Sequence, residues 1–331
     1  MFTASQHRLI RNLSAIIICA CILVATTLVD WVMIADQIRG LSFEPTAEMI
    51  ALKNDLNLTT RGNTIFSSTH PTIKDREEFN RVCASGNSEV SILGCYDGQN
   101  IFVYNIDNSE LAGIKQSTLA HELLHAAWSR LSIADRARLE PELEFIYEAN
   151  FDNLQPRLEL YPQHNFYEEL HSIVGTEFAD LSNYLETHYA RYFNDQDTIV
   201  GFFNNYDTKF RELKIQAEAL YEQININQEI IDAKVANYDD AFRELSAAII
   251  DFNRRAESGY FTSVAAANAE REVLLARQNA LEELYHEIVA LVDDTNDLIE
   301  QYNNNIARTQ LLLDSINSSP SPMPMPNDLA L

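Results

Sequence analysis

Two histidines and a glutamate within five residues, His121-Glu122-Leu123-Leu124-His125, are the side chains of this sequence best suited to chemistry. On a helix, positions four apart differ by about 40° around the axis, so both imidazoles point the same way and can meet one metal ion. Glu122 lies about 100° from His121, beside such an ion rather than on it, where a carboxylate serves as general base. The flanking run from Ser117 to Trp128 is mostly apolar, and no Lys or Arg stands between Lys115 and Arg130. A helix of that composition is buried nearly all round. Buried histidines and a buried glutamate are costly unless something satisfies them, and a Zn2+ ion does.

A catalytic zinc site takes three protein ligands and leaves one position open. The candidates for the third are Glu144, Glu169, His171 and Glu177. Glu144 follows His125 at a spacing some aminopeptidases use, but Pro141-Glu142-Leu143 lacks the flanking residues expected there. The stretch Asn165 to Leu181 reads as helix. Counting from Leu170, its apolar residues Phe166, Ile173, Val174, Phe178 and Leu181 fall between about −60° and +80°. Glu177 falls near −20°, inside that stripe, while Glu169 and His171 fall near −100° and +100°, at its edges. A carboxylate aimed into a core needs a strong partner, so Glu177 is the expected ligand.

HELLH, followed some fifty residues later by Gly175-Thr176-Glu177-Phe178-Ala179-Asp180, resembles a gluzincin-type metallopeptidase of the membrane-associated kind. The resemblance covers roughly residues 95 to 185. It implies zinc held by His121, His125 and Glu177, with Glu122 taking a proton from water and passing it to the leaving amine. Asp180 follows Glu177 by three residues where the resemblance has four, so a histidine-orienting aspartate does not carry over. His171, Tyr167, His188 and Tyr189 are the candidate oxyanion donors. Two other classes stay open: a coiled-coil scaffold with a structural or vestigial zinc site, and a zinc hydrolase of cell-wall amides.

Several elements must position these groups. The helix carrying HELLH is expected from near Ser117 to near Leu131, and a second from Ile133 to Ala149, capped at Ser132. Gln99 to Ile106, β-branched and aromatic, reads as a strand and as the sheet edge against which an extended peptide lies. Pro45 to Asn57 and Asp75 to Arg81 read as short helices. The stretch through Thr59-Thr60-Arg61-Gly62-Asn63 reads as loop, and Phe151 to Gln163 as irregular.

The wider chain adds a compartment. Leu13 to Val29 is uncharged and apolar, and Trp31 to Ala35 extends it, enough to span about 30 Å of hydrocarbon. Arg8 and Arg11 before the span put the N-terminus in the cytoplasm and the bulk outside; a cleaved signal peptide is the rival. Outside, Cys83 and Cys95 are expected to pair as a disulfide, whereas Cys19 and Cys21 fall within the span. The formal charge of −25 argues against nucleic acid or anionic lipid as a partner surface.

From about Tyr206 the spacing changes to sustained heptads. Leu213, Ala217, Leu220, Ile224, Gln228, Ile231, Val235, Tyr238, Phe242, Leu245, Ile249 and Phe252 form one array, and Leu281 to Ile316 a second. A Gly259-containing turn joins them into an antiparallel coiled-coil hairpin, an arm for a protein partner or for self-association. The expected architecture is mainly α, an α+β zincin-like domain with a small edge sheet plus the hairpin. Its parts are a cytoplasmic stretch (1–12), an anchor (13–35), a metallopeptidase domain (36–200), the hairpin (201–316) and a disordered Pro-rich tail (317–331).

Overall fold

The computed structural model describes residues 31–83, 92–159 and 165–318, which form two compact units: 31–208 with 314–318, and 209–313. The architecture is mainly helical, with one small sheet and one long helix pair.

In the first unit, α1 (Trp31–Gly40), α2 (Ala47–Asp55) and α3 (Thr60–Ser68) precede β1 (Thr72–Lys74) and α4 (Arg76–Cys83). Next come β2 (Gly94–Tyr96), β3 (Ile101–Tyr104) and α5 (Ile114–Ser129), which carries HELLH. α6 (Ile133–Ala149), α7 (Phe151–Leu158), α8 (Phe166–Glu177) and α9 (Asn183–Tyr189) follow. α5 is the central helix, packed against α8 on one side and against β2 and β3 on another. Leu119, Ala120, Leu123, Leu124, Ala126 and Ala127 are fully buried there, as its composition demands.

The sheet order is β1-β3-β2, with β1 parallel and β2 antiparallel to β3. The expected strand is therefore the middle one, and the edges are β1 and β2, the latter a Gly-Cys-Tyr triplet too short to announce itself by composition. Cys95, opposite Phe102 in the register, is disulfide-bonded to Cys83 at the end of α4.

Three further expectations are corrected. Residues 59–63 are not loop: Thr59 caps α3, whose Ile65 and Phe66 are buried, and Gly62 lies so close to the Tyr192 carbonyl that only glycine fits. Residues 151–158 are helix α7 despite Pro156, because Leu154 and Leu158, one turn apart, both enter the core. HELLH's helix begins at Ile114, a turn before Ser117, because Gly113 at φ 98° starts it against the Phe202 backbone.

The expected span 13–35 and Cys19 and Cys21 lie outside the described residues except for 31–35. Those five residues open α1, which runs unbroken to Gly40 and is tied to the end of α5 by Asp36, paired through both oxygens with Arg130 at 2.7 and 2.8 Å. Among the described residues no helix is long and apolar enough to cross a membrane. Of the tail, Asn317 and Ser318 are buried, and the remainder lies outside the described residues.

The second unit consists of most of α10 (Gln196–Glu257) and α11 (Val264–Ile316), joined by a turn with Gly259 at φ 71°. Asn305 to Gln216, Asn227 to Thr295 and Lys234 to Glu287 pair in descending order, so the helices run antiparallel. Asn227, Lys234, Ala241 and Ala248 face the seam where Gln228, Val235, Phe242 and Ile249 were expected; the last three are 40, 53 and 37 % exposed.

Candidate metal centre

α5 presents His121 and His125 toward the first turn of α8, where Glu169 meets both. The two Nε2 atoms are 3.1 Å apart. Glu169 Oε1 is 3.3 Å from His121 Nε2, and its Oε2 is 3.2 Å from His125 Nε2. Four tetrahedral zinc ligands at about 2.0–2.1 Å from the ion stand about 3.3 Å from one another, so these donors have the separations such a site needs. Two imidazoles and one carboxylate are also a usual catalytic zinc donor set. Among the described residues this is the one group of three His, Cys, Asp or Glu side chains with that convergence.

The electrostatics match close, buried opposite charges. Burial disfavours ionised Glu169, but the charges and hydrogen bonds of His121 and His125 outweigh it and hold the carboxyl well below its usual range. Burial likewise disfavours charged His125, yet its hydrogen bonds to Glu168 and Glu169 push it up to about 10. His125 Nδ1 lies 3.2 Å from Glu168 Oε1, so adjacent glutamates serve opposite sides of one imidazole. Glu168 thus stands beside the outer nitrogen of His125, whereas Asp180 is exposed beyond the end of α8.

Glu122 is 6 % exposed, and desolvation raises its pKa above the usual carboxylate value against the pull of His125 and His121. It faces a cavity of about 220 Å³ together with His121, Glu169, Arg157, Glu177 and Tyr206.

Glu177 does not join the histidines. It accepts two hydrogen bonds from Arg157, at 2.6 and 2.7 Å, on the cavity wall. Glu169 and Glu177 are eight residues apart on one helix, about 12 Å along its axis, so one ion cannot use both. Gly175 lies against Leu124 and Tyr189 with no room for a Cβ, so α8 packs close on α5. Glu144 accepts from the Tyr167 hydroxyl at 2.9 Å, away from the histidines. His171 is fully buried, its Nε2 2.8 Å from that of His188, and burial depresses both imidazoles. Tyr189 donates to the His171 carbonyl. Of the proposed oxyanion donors none lines the cavity; Tyr206, which does, was not singled out from sequence.

β2 forms the cavity's other wall. Tyr104 N–H donates to the Leu93 carbonyl at 2.8 Å, and hydrogen-bonded pairs alternate along an antiparallel ladder. Leu93 and Cys95 therefore turn their backbone groups to β3, while Ile92 and Gly94 turn theirs outward. The Ile92 carbonyl is taken by the Ser318 hydroxyl at 2.8 Å. Gly94 sits directly on Glu122: a Cβ there would lie 2.7 Å from Glu122 Cγ.

Compared with known protein families, curated proteins and solved structures, the chain matches none. The functional reading therefore rests on these side chains.

Proposed function

We propose that this protein is a zinc-dependent metallopeptidase of gluzincin type, with His121, His125 and Glu169 as ligands and Glu122 as general base. The observation that carries the proposal is the 3.1–3.3 Å convergence of three donors beside a buried glutamate on a cavity. A bound zinc ion supplies a polarised water and a Lewis acid for the scissile carbonyl. Glu122 takes a proton from the attacking water and returns it to the leaving amine; burial raises its pKa, which favours its holding the proton between the two transfers. Glu168 holds His125 in the orientation that aims Nε2 inward.

The outward backbone groups of Gly94 support an extended peptide as substrate, since a strand can add to β2 beside Glu122. The Cys83–Cys95 disulfide supports an oxidising, extracytoplasmic compartment, with residues 13–35 as anchor. The test compares wild type with Glu122→Gln on an unstructured protein, with zinc content measured in both. The expected result is equal zinc and loss of cleavage in the variant; equal cleavage refutes the mechanism.

A further inference from the structure

α1 is turned inside out. A surface helix normally buries its apolar stripe and shows its polar one. Taking Trp31 as zero and about 100° per residue, Asp36 and Gly40 fall near 140° and 180°. That side meets the protein: Asp36 is buried against Arg130, and a Cβ on Gly40 would lie 3.0 Å from Ser67 Cβ of α3. The opposite arc holds Trp31, Ile34, Ala35 and Ile38 within about 60° of its zero, with Val32 and Gln37 at its margins. All six are exposed, and only Gln37 is polar. Leu41, just beyond the helix, is 86 % exposed. An apolar face that continuous, on the helix side opposite a buried ion pair, marks an interaction surface.

We propose that this face is a membrane contact: α1 lies along the headgroup layer of a lipid bilayer with its apolar arc turned inward. The proposal rests on the anchor proposed above, and continuity with that anchor names the occupant. The uncharged apolar run Leu13–Val29 ends one residue before Asp30 and α1, so lipid that receives the run is adjacent to the arc. Trp31 then falls where the chain leaves the hydrocarbon, the level at which Trp is enriched. The arc's one-sidedness selects a helix in the plane of the interface. A helix continuing straight out would carry Ile38 about 10 Å beyond Trp31 and leave it and Leu41 in water. The anchor alone requires nothing of residues 36–41. Asp36 ties α1 to Arg130, five residues past His125, and Arg39 donates to Asn100 Oδ1 before β3 at 2.9 Å. With its arc in lipid, α1 therefore holds the candidate metal centre in one orientation to the bilayer, where a bare tether would let it swing.

The test is quenching of tryptophan emission in the purified full chain, reconstituted in phosphatidylcholine vesicles brominated near the headgroup end of the acyl chains. The chain has two tryptophans, and Trp128 is buried, so Trp31→Phe sets the baseline. On that background Ile38→Trp and Leu41→Trp are each expected to lose roughly half of the added emission, to the same extent as Trp31 in wild type, because one depth serves the whole arc. Phe145→Trp, at an exposed position on α6, is expected to lose none. Washing the vesicles with alkaline carbonate tests the anchor separately. A chain released by the wash refutes anchor and proposal together. A retained chain in which Trp31 is quenched but Ile38→Trp and Leu41→Trp are not overturns the proposal and leaves the anchor standing. Equal quenching at Phe145→Trp also overturns it, since the arc would then be nothing special. None of these outcomes depends on peptidase activity.

Discussion

Gly94→Ala isolates the step between fold and chemistry. The added methyl would stand 2.7 Å from both Glu122 Cγ and Thr118 Cγ2, and 2.8 Å from Glu122 Oε1. Carbon atoms pack at about 3.5–4.0 Å, so something must give by about 0.8 Å. Thr118 is a branched side chain on a buried helix and has little freedom; Glu122 can swing toward the cavity. Displacing a catalytic group by about 1 Å costs roughly a hundredfold in rate, and overpacking a core costs about 1–3 kcal/mol. The expected variant is folded, loses about 1–3 kcal/mol in urea unfolding, and cleaves an unstructured fluorogenic protein about a hundred times more slowly. Its zinc content should match wild type, because the clash involves none of His121, His125 and Glu169. A folded variant within threefold of wild-type activity would refute the assignment of Glu122 as a base held in place by β2.

Three other perturbations follow from the same geometry. Glu169→Gln should weaken zinc binding by more than the roughly 10–100-fold typical of losing an outer-shell partner, whereas Glu177→Gln should bind zinc normally. Chelator competition separates them, and the opposite ranking would restore Glu177 as ligand. Because Arg157 is 39 % exposed, loss of its partner Glu177 should cost only about 1–2 kcal/mol, below the figure for a fully buried pair. His188 is pushed by burial from 6.5 down to about 4. Its contribution is therefore complete above the unfolded value and is lost as pH falls from about 6.5 toward 4, a change of about 3 kcal/mol. In metal-free protein, urea unfolding across that window should show this slope for wild type and a flatter one for His188→Gln; parallel slopes would exclude the buried histidine as its source. Replacing Cys83 and Cys95 together by serine opens a loop of separation 12 and should cost about 3 kcal/mol. An unchanged thermal midpoint would show that the crosslink constrains nothing.

The sequence made some of this legible and hid the rest for identifiable reasons. The histidine pair, its buried helix and the Ser132 cap follow from local periodicity; α6 appears where the pattern puts it, while α5 starts a turn early, at Ile114. The third member of the candidate metal group, Glu169, did not follow, because helical phase says nothing about position along the axis. α8 is buried from Glu169 to Thr176 on every side, so no stripe discriminates among its carboxylates. A usable signal was present in Glu168-Glu169: two adjacent acids in the first turn of a buried helix need cationic or metal partners nearby. The hairpin was readable as a hairpin, but its seam slipped at Val235, Phe242 and Ile249, because small or amphipathic residues, Lys234, Ala241 and Ala248, hold the contact. β2 was silent because three residues carry no alternation.

Under the proposed function, that silent strand would join the disulfide to the chemistry. Side chains alternate across a strand, so Gly94 lies against α5 and Cys95 points to the other face, where it is bonded to Cys83 of α4. A three-residue strand paired on one side only is marginal by itself. The disulfide anchors it one residue from the contact with Glu122, and Ser318 holds it from beyond Ile92. A substrate strand adding at Gly94 would pull on this strand, and its scissile bond must stay in register with Glu122. The crosslink therefore matters more to positioning than to overall stability. Reduction should lower cleavage before it lowers helical content, and simultaneous loss of both would assign the disulfide to folding alone.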